Sequence, residues 1–148
     1  MSRTILLDSG PLGLVTNPGA SPLAAACGRW VVDAIGSGSS VVVPEIADYE
    51  VRRELIRARR TAGIARLDAF IGQVEFLPIE TAAMRRAAAF WAEARQQGRP
   101  TAPDPALDAD VILAAQAANL ERTDVIVATT NPKHLSRYVA AELWTGIG

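Results

Sequence analysis

The sequence holds a single cysteine, Cys27, so no disulfide can close within the chain. Its Ala-rich setting reads it as a small buried hydrophobe in a reducing compartment. No apolar run approaches the roughly 18 residues of a membrane-spanning helix. Met1-Ser2-Arg3 leads straight into an apolar segment without a signal-peptide core, so a cytoplasmic protein with no membrane part is expected. Charge of one sign is also missing. With a formal net charge of −1, any nucleic-acid contact must come from a local basic patch rather than a global field. No glycine fingerprint follows the first strand, which disfavours dinucleotide-binding folds. Gly36-Ser37-Gly38-Ser39-Ser40 precedes a strand and lacks a lysine in register, so it reads as a helix cap and turn. His134 is the one histidine, with no Ser or Cys in a nucleophile setting, and reads as a surface residue.

What is present is a chain of 148 residues with nearly half its residues apolar, enough for one domain over 1–148 that buries about 68–70% of its unfolded surface. Thr4–Leu7 is a continuous apolar run, as in a strand buried on both faces. Gly10-Pro11 is expected to break the chain, a short Leu12–Val15 segment follows, and Asn17-Pro18-Gly19-Ala20 makes a loop. Ser21-Pro22 caps a helix to Ile35 that buries Leu23, Ala26, Cys27, Trp30, Val31 and Ile35 and stops at Gly36. A strand at Ser40–Val43 ends at Pro44. One long charged helix is then predicted from Glu45 to about Ala62, closed by Gly63, before a short helix over 64–71 and a strand over 74–77. Thr81–Gln97 is an amphipathic helix capped by Thr81, with Met84, Ala87, Ala88, Trp91 and Ala94 at helical spacing and Gly98 at its end. The tryptophans and Met84 are assigned to core or interface packing. Residues 99–105 form an extended connection, 107–119 a small-residue helix, 124–129 a strand, 132–139 a short helix and 142–145 a last strand. No internal repeat or low-complexity tail interrupts the series. The alternation predicts a three-layer α/β/α sandwich around a mostly parallel sheet of four to five strands.

In such a sheet, chemistry gathers outside the carboxyl ends of the strands. Asp8 ends the first strand there, awkwardly for a purely structural residue. The helix after the second strand brings Glu45, Asp48, Glu50 and Glu54, and the late strand ends in Thr129-Thr130-Asn131. Asp108 and Asp110 lie about 200° apart around a helix, so they cannot both face the site. Asp110 shares its face with Ala114 and Ala117, whereas Asp108 suits an N-cap or solvent.

Four stretches carry a family resemblance: Ile5-Leu6-Leu7-Asp8-Ser9; Pro44 to Tyr49-Glu50-Val51-Arg52-Arg53-Glu54-Leu55; Asp110-Val111-Ile112-Leu113-Ala114-Ala115; and Val127-Ala128-Thr129-Thr130-Asn131-Pro132-Lys133-His134-Leu135. Together, in this order over nearly the whole chain, they resemble the PIN domain, and most closely the VapC-like toxin nucleases. The resemblance assigns the family's acidic and polar site to Asp8, Glu50, Asp110 and Asn131, with Ser9 and Thr129 in support. The interval from Asp8 to Glu50 is longer than in compact members. The choice of Glu50 over Glu45 or Asp48 therefore leans on the Tyr-Glu-Val-Arg-Arg context. Leu135 stands where an aromatic residue is usual.

The resemblance implies a metal-dependent ribonuclease, the toxin of a toxin–antitoxin pair, with RNA as substrate, a small antitoxin protein as partner and a homodimer as its assembly. Three carboxylates a few ångströms apart repel by about 4 kcal/mol per pair at 4 Å and an effective dielectric near 20, so protons or cations must neutralise them. Oxygen donors without Cys or His suit Mg²⁺ or Mn²⁺, held by Asp8, Glu50 and Asp110, with Asn131 orienting a water or a second ion. The ion would activate a water against the phosphodiester and offset charge on its oxygens. Arg53, Arg57 and Arg60 form a stripe able to meet RNA phosphates. The same stripe also suits a solvated helix face pairing with Glu50 or Glu54. Asn131 before Pro132 equally suits a helix N-cap. Haloacid-dehalogenase phosphatases are disfavoured, because they need a second aspartate where Gly10 stands. Two alternatives remain: a catalytically silent PIN-like module that binds RNA or protein, and a stand-alone nuclease outside any toxin system.

Overall fold

The computed structural model describes residues 3–19, 21–98 and 104–148. Five strands, β1 (Thr4–Leu7), β2 (Ser40–Pro44), β3 (Glu75–Leu77), β4 (Val125–Thr129) and β5 (Ala141–Leu143), form one sheet in the order β3-β2-β1-β4-β5. Every pairing is parallel, and Leu6 of β1 sits between Val42 and Val127. The continuous apolar runs follow from this, because each inner strand feeds two cores in alternation. Ile5, Leu7, Val41, Val43, Ile126 and Ala128 pack on one face with Cys27, Val31 and Leu67. Leu6, Val42 and Val127 face the other way, onto Leu113, Ala114 and Ala117. The three-layer sandwich is thus the one expected, and its sheet is wholly parallel.

The helices are α1 (Ser9–Val15), α2 (Pro22–Gly36), α3 (Glu45–Arg57), α4 (Thr61–Ile71), α5 (Thr81–Gln96), α6 (Asp104–Ala118) and α7 (Pro132–Leu135). Several depart from the sequence reading. Gly10-Pro11 does not break the chain but lies in the first turn of α1, where a missing N–H is harmless. Leu23 and Ile35 of α2 are exposed while Ala24 is buried, so the buried stripe is narrower than the apolar composition suggests. Pro44 stays in β2, paired with Leu77, and occupies the N-cap position of α3. Glu80 rather than Thr81 takes that position on α5, where Met84 and Trp91 are partly exposed instead of buried. Of the expected 99–105 connection, 99–103 lie outside the described residues, as does Ala20 of the earlier loop. The chain is already helical from Asp104. The helix expected over 132–139 stops at Leu135, and a 3-10 turn (Trp144–Gly146) follows β5. Trp30 Nε1 donates to the Ile147 carbonyl at 2.8 Å, and its ring packs at a tilt against Trp144 with centroids 5.7 Å apart, tying this end to α2.

The largest departure is the predicted long helix, which is two helices joined by an elbow. Arg59 adopts φ +56°, the one non-glycine residue with positive φ among those described. Arg59 N–H donates to Ile56 O at 3.1 Å and Arg60 N–H to Leu55 O at 2.8 Å. This is the two-bond pattern of a Schellman stop, whose left-handed position usually holds glycine. Here it holds arginine, and the stop is hidden in the sequence. Gly63 does not close the first helix. It sits buried in α4, where an added Cβ would lie 2.8 Å from Leu55 Cδ2, and so lets the two helices pack closely.

Candidate active site

β1 delivers Asp8 to the carboxyl edge, where it becomes the N-cap of α1. The Ser9 amide donates to its Oδ1 at 2.7 Å and the Thr129 hydroxyl to its Oδ2 at 2.8 Å. Thr129 Oγ1 in turn accepts from the Asn131 amide at 3.1 Å, so the ends of β1 and β4 are locked through one carboxylate. Burial nonetheless pushes the Asp8 pKa up, against the pull of Thr129 and Ser9.

Gly10 makes this junction possible, since a Cβ there would stand 2.6 Å from Thr130 Cγ2 and 2.8 Å from its hydroxyl. Gly10→Ala should therefore lower stability by about 1–3 kcal/mol. A denaturant titration with unchanged midpoint would show that the Thr130 side chain simply turns aside.

The four acids of α3 separate cleanly. Glu45 Oε1 accepts from the Ile79 amide at 2.7 Å, clamping α3 to the segment after β3. Asp48 pairs with Arg52 at 3.0 Å, and Arg52 also reaches Asp68 at 2.7 Å. Glu54 pairs with Arg57 at 2.7 Å. Glu50 is the one that faces the other acids. Its pKa is pushed up to about 7, chiefly by burial, next by the Asp8 charge, with Arg53 opposing and Asp110 adding. The α3 start is further held by Gln116, which bonds the Ile46 amide and the carbonyls of Leu77 and Pro78. That buried pin was not read from the sequence.

On α6, Asp108 is exposed and Asp110 turns inward, as the helical angle requires. Burial and the Asp8 charge raise the Asp110 pKa to about 6, and His134 draws it back. Asp110 Oδ2 is buried without a hydrogen-bond partner among the described residues. His134 Nδ1 lies 3.4 Å from it, at ion-pair range but outside hydrogen-bond geometry. The expectation that His134 is an uninvolved surface residue is therefore corrected, because the first turn of α7 carries it back to the site. Its place three residues after Asn131, at the same strand end, was the available signal. Asn131 itself is exposed and makes no side-chain cap bond, so the capping expected of its side chain is not observed.

Three carboxylates from β1, α3 and α6 thus share one electrostatic neighbourhood with raised pKa values. A buried carboxylate oxygen that accepts no hydrogen bond, in an all-oxygen donor set, fits a hard divalent cation. No three of Asp, Glu, His or Cys among the described residues form a ready-made cage. An ion such as Mg²⁺ keeps several waters and takes only one or two carboxylates directly.

Beside the acids, and sharing Ser9 and Glu50 with them, opens a cleft of about 970 Å³ between the α1 end with its loop and the α3–α4 elbow. Of the arginines expected to form one stripe, Arg53 and Arg60 line this cleft, whereas Arg57 lies off it, paired with Glu54. Arg59 lines it as well.

No family model matches the sequence, and no curated protein matches it. Solved structures do. VapBC2 from Rickettsia felis, bound to a DNA fragment from its promoter, aligns over 95% of this chain and 98% of its own at TM-score 0.69 and 13% identity. FitAcB from Neisseria gonorrhoeae aligns over 97% and 99% at TM-score 0.69 and 19% identity. VapBC-1 from nontypeable Haemophilus influenzae aligns over 96% and 98% at TM-score 0.65 and 17% identity. Over 95–97% of its length the chain has the fold of these proteins.

Proposed function

We propose that the chain is a metal-dependent ribonuclease that hydrolyses RNA phosphodiester bonds, acting as the toxin of a toxin–antitoxin pair. The observation that carries the chemistry is that Asp8, Glu50 and Asp110 are gathered at one strand edge with pKa values all raised, chiefly by burial, the Asp8 charge adding at Glu50 and Asp110. Asp8, Glu50 and Asp110 would hold Mg²⁺ or Mn²⁺, directly or through its waters. Bound there, the ion would lower the pKa of a water it holds and would offset charge on the phosphate oxygens.

The chain's own groups set up that chemistry. Ser9 and Thr129 fix both oxygens of Asp8, so its charge points at the site without reorganising. Asn131 stands at the same edge, where its carboxamide can orient a water. His134 faces Asp110 Oδ2 at 3.4 Å and is a positioning residue. The toxin role draws on the likeness of fold to the VapBC and FitAcB structures. A small antitoxin protein and a second copy of the chain are the proposed partners.

Cleavage of a mixed RNA pool by the purified chain in Mg²⁺, in EDTA, and in EDTA with Mg²⁺ restored tests the activity. Expected is cleavage in the first and third samples only. Equal cleavage in all three would remove the metal from the account, and none in any would remove the nuclease. No helix among the described residues is long and apolar enough to cross a membrane.

A further inference from the structure

The α3–α4 elbow places an arginine where a glycine would be easier. At φ +56°, Arg59 holds a strained conformation that an L side chain rarely adopts. The backbone there gains nothing from arginine, so the side chain is what the position uses. Its neighbours sharpen the point. Arg52 and Arg57 on the same helix are paired with Asp48, Asp68 and Glu54. Arg59 and Arg60 make no ion pair with any described residue, are exposed, and line the cleft that runs from Glu50 to the elbow. Arg53, nearer the acids, lines the same cleft with its guanidinium 5.1 Å from the Tyr49 ring. The opposite wall carries no charge: it is Gly13, Thr16 and the Asn17-Pro18-Gly19 loop.

From this geometry we infer that the cleft binds a single-stranded stretch of the RNA on one side of the cut, with Arg53, Arg59 and Arg60 on successive phosphates. The inference rests on the nuclease reading of the acids, which it extends by assigning the path of the substrate. The arginine wall also carries Glu50 and Glu54, the latter paired with Arg57, and Arg53, Arg59 and Arg60 leave it net positive against small uncharged groups opposite, which suits a strand whose backbone lies along the arginines. Because the cleft joins the acids through Ser9 and Glu50, a strand lying in it leads directly to them.

The test uses the full chain carrying Asp8→Asn to stop cleavage, and a fluorescein-labelled single-stranded RNA 12-mer read by anisotropy from 50 to 200 mM salt. Arg59→Gly combined with Arg60→Ala is the test variant. Glycine accepts the elbow's φ, so the fold should be kept, and a thermal melt checks this. Expected is a loss of affinity of about 10-fold or more at 50 mM salt, with the slope of log K against log salt shallower by about 1.4, or about 0.7 per lost phosphate contact. Arg57→Ala should bind as the parent does. Affinity and slope unchanged in the double variant would overturn the assignment, and is the result expected if these arginines serve a protein partner instead. Equal weakening by Arg57→Ala would also overturn it, by showing a diffuse charge effect. Cleavage by the otherwise unaltered chain separates this from the nuclease reading. RNA cleaved equally with and without the elbow arginines sinks only the cleft assignment. RNA bound through them but never cleaved sinks only the nuclease.

Discussion

Asp8→Asn is expected to reduce RNA cleavage by about 10³-fold or more while leaving the protein folded and more heat-stable. The two effects have one cause. Asp8 is the carboxylate that raises both of the others, so removing its charge relieves Glu50 and Asp110 together. Asparagine can keep its local bonds. Its carbonyl accepts from the Ser9 amide, and the Thr129 hydroxyl can turn to accept from the new amide group, which the geometry at 2.7 and 2.8 Å allows. Weakening the hold on a cation that offsets phosphate charge removes several kcal/mol of transition-state stabilisation, and about 4 kcal/mol corresponds to a factor near 10³. A melting temperature that rises as activity disappears is the mark of a group kept for chemistry at the expense of stability. Full activity in Asp8→Asn would show that Asp8 serves the fold as an N-cap and nothing more, and a fall in melting temperature would show that its capping bonds outweigh the charge repulsion it imposes.

The second large effect concerns pH in the absence of metal. Folding raises Glu50 from 4.5 to about 7 and Asp110 from 3.8 to about 6. Between the lower and the upper values the folded chain holds protons that the unfolded chain has released. Stability from these groups is therefore greatest at the acidic end and falls as pH rises through about 6 and 7. After allowance for partial solvation the loss is on the order of 2 kcal/mol from pH 5 to pH 8, or about 4–8 °C in melting temperature for a chain of this size. Thermal melts in EDTA should show that decline, and millimolar Mg²⁺ should restore most of it at pH 8 and little at pH 5, where protons already neutralise the site. Glu50→Gln should flatten the profile. Melting temperatures that climb from pH 5 to pH 8 in EDTA would contradict the shared acidity of the site.

Much of this was legible in the residues. An apolar run that stops at Asp8 announces a buried strand ending in a charge, and the parallel sheet then fixes the edge where that charge stands. The 200° between Asp108 and Asp110 selected the inward one without any tertiary information. Glu50 was different. Glu45, Asp48, Glu50 and Glu54 share one helix, and what distinguishes them lies elsewhere: the Ile79 amide for Glu45, and Arg52 with Asp68 for Asp48. Local spacing cannot reveal partners 34 residues away. The elbow stayed hidden because arginine fills a position whose usual signal is glycine, so the pattern read as one helix through to Ala62. Gly63, the nearest glycine, mimics the stop although it serves the packing of Leu55. His134 reads as a surface residue because no Ser or Cys stands in a nucleophile setting, and only the turn of α7 brings it to Asp110.

The central claim is that Asp8, Glu50 and Asp110 surround one divalent ion. The most direct measurement is a crystal of the chain grown with Mn²⁺ and recorded at a wavelength where manganese scatters anomalously. Expected is a single strong anomalous peak among these three carboxylates, with at least one of their oxygens within about 2.3 Å and waters completing the shell. A well-ordered site with no peak there at millimolar Mn²⁺, or a peak held by other residues, would contradict it.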